Sequence, residues 1–139
     1  MAPLTGAVLV ERLNATQTET AKMFKQHVLE ADPDAGKVII EYTPDKRFCN
    51  PMGVVQGGFV AAMLDEAAAI ACIVHAQKPI GVPTLEMKVS YFRPVLPGRV
   101  IVTGQIVKQG RKVTFLGADM HDDAGKALAQ ASLTSMPTG

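Results

Sequence analysis

Cysteine is scarce in this chain: Cys49 and Cys72 are the only two among 139 residues. They share no patterned spacing, which argues against a disulfide scaffold and a zinc module. Histidine is nearly as sparse. His27, His75 and His121 have no ligand spacing, so no metal is expected. A surplus of either charge is also missing: 14 Lys and Arg against 13 Asp and Glu leave a net +1. That balance gives no general attraction to nucleic acid or to an anionic membrane. Met1 to Val10 holds no Lys or Arg ahead of its mildly apolar run, so the charged start of a secretory signal is absent. No internal repeat, linker or low-complexity tract occurs. The expectation is one cytoplasmic domain over residues 1–139, with an N-terminal arm and helix over 1–35 and a core over 36–136.

What is present is a chain that can bury a real core. Hydrophobic residues make up 47% and charged residues 19%, a globular balance. One stretch stands out. From Val60 to Val74 the residues are V-A-A-M-L-D-E-A-A-A-I-A-C-I-V. Their Ala, Leu and Met content favours helix, and about fifteen residues is helix rather than strand length. With almost no polar face, this helix is expected to be buried all round. Its length tempts a membrane reading. Asp65 and Glu66 at its centre oppose that, since an Asp alone costs about 2.5–3.5 kcal/mol on insertion scales.

Around this helix the remaining elements follow from periodicity. Thr16–Ala31 fits a surface helix, with Ala21, Phe24, Val28 and Ala31 at spacings of three and four, and Asp32-Pro33-Asp34 stops it. Met1–Ala15 reads as a loosely docked start. Lys37–Thr43, Thr84–Phe92, Arg99–Lys108, Lys112–His121 and Lys126–Thr134 read as strands, several joined by tight turns such as Gln109-Gly110-Arg111. Short turns imply antiparallel neighbours. A sheet of about five strands needs one face covered, and the apolar helix is available to cover it. The predicted architecture is α+β: a curved antiparallel sheet wrapped around one long helix.

A carboxylate inside an apolar helix is costly without compensation, so Asp65 is a candidate general base or nucleophile at a carbonyl. At the helix start, Gly57 and Gly58 offer bare backbone N–H groups and close approach. The helix dipole makes that end suited to a developing oxyanion. Eight residues of helix put Gly57 and Asp65 about 12 Å apart along the axis, too far for one carbonyl to touch both. If both act on one substrate, they come from different chains. A two-fold dimer with antiparallel central helices would pair Gly57 of one subunit with Asp65 of the other, twice.

The segment N-P-M-G-V-V-Q-G-G-F-V-A-A-M-L-D from Asn50 resembles the signature of hot-dog fold acyl-CoA thioesterases of the phenylacetate-degradation (PaaI-like) family. Their pattern runs roughly N-x-x-G-x-x-H-G-G, with an Asp eight residues after the first Gly of the pair. The resemblance continues through T-L-E-M-K-V-S-Y-F-R-P, P-G, K-Q-G-R-K and D-D-A-G-K-A-L-A-Q-A, covering about Lys37 to Thr134. It implies a hot-dog fold and hydrolysis of an acyl-CoA thioester to free acid and CoA. By position it makes Gly57 the oxyanion-hole residue and Asp65 the catalytic carboxylate. Asn50 becomes the residue orienting water or carboxylate, and Thr84 matches a hydroxyl assisting the same water. Coenzyme A enters as part of the substrate and no separate cofactor is implied. Arg93, Lys108, Arg111 and Lys112 are candidates for its phosphates. The family also suggests homodimers that pair into tetramers.

Pocket walls are expected from Met52, Phe59, Met63 and Phe92, which are apolar and adaptable, with Gly58 beside them. The chain departs from the family pattern at Gln56, where His is usual. Both can donate a hydrogen bond to a thioester oxygen, but Gln cannot titrate. Gln56 is thus either a substrate contact or a loop hydrogen bond, and Asn50 before Pro51 also reads as a turn former. A non-catalytic acyl-CoA binder is the alternative function. A hot-dog hydratase is disfavoured because those enzymes use Asp and His five residues apart, and here the residue five after Asp65 is Ile70.

Overall fold

The computed structural model describes residues 2–139. After α1 (Gly6–Ala15) and α2 (Glu19–Met23) come β1 (His27–Asp32) and β2 (Lys37–Tyr42). A short 3-10 turn at Lys46–Phe48 leads to α3 (Gly57–Ala76), followed by β3 (Thr84–Tyr91), β4 (Val100–Gln109), β5 (Thr114–His121) and β6 (Ala127–Ser135). The strands form one six-stranded sheet in the order β1-β2-β4-β5-β6-β3, with every neighbouring pair antiparallel. This is the hot-dog arrangement, with α3 lying in the curl of the sheet. α3 is long and apolar enough for a membrane span by length and composition, but Val60, Met63, Leu64, Ala67, Ala71 and Val74 pack into the core instead. Gly104 of β4 permits this seating. A Cβ there would come within 2.2 Å of the Ala67 carbonyl oxygen.

Three expectations need correction. The sheet has six strands, not about five. The extra one is β1, drawn from the segment expected to continue as helix to Ala31. The helix ends early because Lys25 turns to φ 53° and the Gln26 N–H closes on the Ala21 carbonyl at 2.9 Å, a Schellman-type stop. Extended backbone then puts Val28, fully buried, opposite Ile40. The N-terminal start is also ordered as α1. Thr5 caps it by accepting from the Val8 N–H. Asn14 near its end accepts from the Val28 N–H at 2.8 Å and donates to the Val28 carbonyl at 2.9 Å. That side chain occupies the free edge of β1.

The third correction concerns α3, which is not buried all round. The sheet curls over one side only, and Ala62, Asp65, Glu66, Ala69 and Ile73 form a stripe that stays partly or fully open. The two sheet edges differ as well. Both edge strands carry a register shift, at Val28/Glu30 in β1 and at Thr84/Glu86 in β3. β1 is held by Asn14, whereas β3 takes no strand on its outer side among the described residues and leaves Leu85 and Tyr91 each about half exposed. An open edge is a template for pairing with another strand.

Candidate active site

The loop entering α3 is built to deliver a helix start with free donors. The Asn50 side-chain oxygen accepts from the Met52 N–H at 2.9 Å and the Val54 N–H at 3.2 Å, an Asx-type closure. Val55 donates to the Val95 carbonyl and Gln56 to the Phe48 carbonyl, each at 2.8 Å. The Gln56 carbonyl takes the N–H groups of Phe59 at 2.9 Å and Val60 at 3.2 Å. The N–H groups of Gly57 and Gly58 have no acceptor among the described residues. Gln56 is the N-cap residue, yet its side chain makes no capping bond and stays exposed. Beside Gly58, a Cβ would meet nothing within 4 Å. A groove of about 550 Å³ opens here, with Asn50, Met52, Gly57, Tyr91, Phe92 and Arg93 on its walls.

Two turns along α3, Asp65 is half-buried. Thr84 at the start of β3 donates its hydroxyl to Asp65 Oδ1 at 2.6 Å, while Oδ2 takes no protein hydrogen bond among the described residues. Such a carboxylate is oriented on one oxygen and free on the other. The neighbouring Glu66 accepts from the hydroxyl of the fully buried Tyr42 at 2.9 Å. Burial pushes the Glu66 carboxyl above its ordinary range; the Tyr42 hydrogen bond pulls against this and the Asp65 charge adds to it. Tyr42 in turn is raised by its own burial and by Glu66. Cys72, further along, is pushed up to about 11 by burial, so its thiol is inert near neutrality.

The residues named from sequence thus fall into separate groups. Asn50, Met52, Gly57, Phe92 and Arg93 gather at the helix start, with Gln56 and Gly58 beside them. Asp65 and Thr84 meet at the other end of β3. Arg93 is tied by its Nη1, which donates to the Ala127 carbonyl at 2.7 Å. Lys108, Arg111 and Lys112 are exposed around the β4–β5 turn. Sheet register puts that turn in the same row as Thr84, through Gln109, Thr114 and Ser135. Met63 is fully buried in the core. Phe59 packs on Phe48 at 4.9 Å between ring centres and on Phe24 at 6.3 Å.

Two functional-looking contacts were not foreseen from sequence. One is the Tyr42–Glu66 bond. The other is the Tyr91 hydroxyl, which donates to the Gly57 carbonyl at 2.7 Å. Alternation marked Tyr91 only as a strand residue. That it runs back along α3 to reach Gly57 depends on how β3 lies against the helix.

The helix seated in a curled sheet, with paired glycines at its tip and a carboxylate two turns on, defines a hot-dog domain. Comparison with known proteins gives the family. The thioesterase superfamily model matches residues 52–129. Acyl-coenzyme A thioesterase 13 of Homo sapiens is 30% identical over 101 residues, 71% of each chain. A phenylacetic acid degradation-related protein from Ralstonia eutropha superposes with a TM-score of 0.83 at 29% identity, covering 93% of this chain and 96% of that one. The E. coli PaaI protein from the phenylacetic acid degradation operon shares the fold, with a TM-score of 0.83 at 19% identity over 96% and 94% of the two chains. The chain belongs to the thioesterase superfamily.

Proposed function

We propose that the protein is an acyl-CoA thioesterase whose active site is completed across a homodimer. One observation carries the reading: the two halves of the site hang from opposite ends of the open edge strand. Tyr91 at one end of β3 bonds the Gly57 carbonyl, and Thr84 at the other bonds Asp65. If two β3 edges pair antiparallel about a two-fold, the Gly57 end of one protomer meets the Asp65 end of the other, twice. The half-open stripe Ala62, Asp65, Ala69 and Ile73 on α3 then covers its counterpart. The same pairing brings Arg93 of one chain and the Lys108–Lys112 turn of the other to the flanks of one site, where the phosphates of CoA would lie.

In this arrangement the thioester oxygen sits at the Gly57 N–H, with Gln56 available as a further donor. Asp65, oriented by Thr84, takes a proton from water. The water oxygen bonds to the carbonyl carbon, the C–S bond breaks, and the departing CoA sulfur receives the proton, leaving the free acid. Direct attack by Asp65 through a mixed anhydride uses the same geometry. The acyl group is taken by the apolar groove beside Met52 and Phe92.

The test is release of free thiol from a panel of aryl- and fatty-acyl-CoAs by the wild type and by Asp65→Asn. The expected outcome is turnover of at least one thioester that falls about a thousandfold or more in the variant, with CoA binding retained. Binding without thiol release from any acyl-CoA would instead favour a non-catalytic acyl-CoA binder.

A further inference from the structure

Tyr91 is about half exposed, so burial alone does not hold its ring against the helix tip. Two contacts do. Its hydroxyl donates to the Gly57 carbonyl at 2.7 Å, and a Cβ on residue 57 would stand 3.3 Å from both Tyr91 Cζ and Oη. The ring therefore rests on the bare Cα of Gly57. A carbonyl oxygen has two lone pairs, so this one can serve the helix ladder and accept from Tyr91 as well.

The Gly57 carbonyl and the Gly58 N–H are two ends of a single peptide unit. A donor on the oxygen polarises the amide and makes its N–H a stronger donor, the cooperative effect seen along hydrogen-bonded chains. That N–H has no acceptor among the described residues, while those of Phe59 and Val60 are already spent on the Gln56 carbonyl. Open space beside Gly58 leaves its backbone approachable.

We propose that Tyr91 is a positioning residue for the carbonyl-binding end of the site, its hydroxyl orienting and polarising the Gly57–Gly58 peptide so that the Gly58 N–H joins the Gly57 N–H as a second donor to the thioester oxygen. The inference rests on the thioesterase reading. It gives the edge strand a double role, since its first residue orients the carboxylate and its last tunes the donors.

Tyr91→Phe keeps the ring and removes only the hydroxyl. The expected result is a fall in kcat of about tenfold with KM held within about twofold, less than the loss of a whole oxyanion donor because the N–H remains. The decisive measurement is vibrational. Hexanoyl-CoA and phenylacetyl-CoA carrying carbon-13 at the carbonyl are bound to Asp65→Asn, and the carbonyl stretch is compared with the free thioester. The bound stretch is expected at lower frequency. Adding Tyr91→Phe should return part of that shift, and a ring-fluorinated tyrosine at position 91, a stronger donor, should deepen it. Bound thioesters whose carbonyl frequency ignores residue 91, or a variant that raises KM at constant kcat, would overturn the role of Tyr91 alone. Wild-type release of thiol from no member of the acyl-CoA panel would overturn the thioesterase reading and this inference with it.

Discussion

At the residue scale, the helix carries two adjacent carboxylates in unlike surroundings. Asp65 is bonded by Thr84 and keeps one oxygen free, whereas Glu66 is tied to the buried Tyr42 hydroxyl. Burial is the largest influence on Glu66 and raises its proton affinity in the folded state above its ordinary value of 4.5. The native protein then binds more protons than the unfolded chain from about pH 4.5 upward, so this group's contribution is fully present below that pH and is lost as pH rises through the raised value. Glu66→Gln retains an acceptor for Tyr42 without the charge. Its melting temperature is expected to gain on the wild type as pH increases from about 4.5 to 7. Thermal scans across that range check it, and a constant offset between the two proteins would refute the burial argument.

At the level of elements, the seating of α3 on β4 depends on Gly104, where backbone meets backbone. A methyl at that position would press on the Ala67 carbonyl carbon as well as its oxygen, at 2.5 and 2.2 Å, and neither can move without shifting the helix. Gly104→Ala is expected to cost about 1–3 kcal/mol or more, seen as a lower urea midpoint with an unchanged slope; wild-type stability would show that the helix slides freely on the sheet. Much of this element level was legible from sequence. The Ala-rich run of α3 and the alternation in β2 and β3 declared themselves, and the tight turns at Gln109-Gly110-Arg111 and Asp122–Gly125 marked out β4–β6. β1 did not, because Val28 and Ala31 fall at helical spacing from Ala21 and Phe24, and the break between them is a left-handed Lys25 that no glycine announces. Asp65 was visible as a charge out of place in an apolar run. Tyr91 was not, since its partner lies thirty-four residues away and only the lie of β3 along α3 joins them.

The whole molecule has one sealed edge and one open one. Asn14 closes β1, while β3 presents its outer side together with the open stripe of α3, and in the proposed reading the site split along that edge closes only between two chains. Gly57 and Asp65 lie about 12 Å apart on a single helix, and α3 is continuous from Gly57 to Ala76. Mixed dimers test this directly. Asp65→Asn lacks the carboxylate and Gly57→Val obstructs the helix tip, so each variant alone is expected to be nearly inactive. In a dimer of one with the other, the first chain's intact Gly57 faces the second chain's intact Asp65, restoring one site, while the opposite site carries both lesions. Random pairing on co-expression makes half of the dimers mixed with one of two sites intact, so about a quarter of wild-type thioester turnover should return. Each site contained within one protomer would leave the mixture as inactive as its parents, because no chain in it carries both residues.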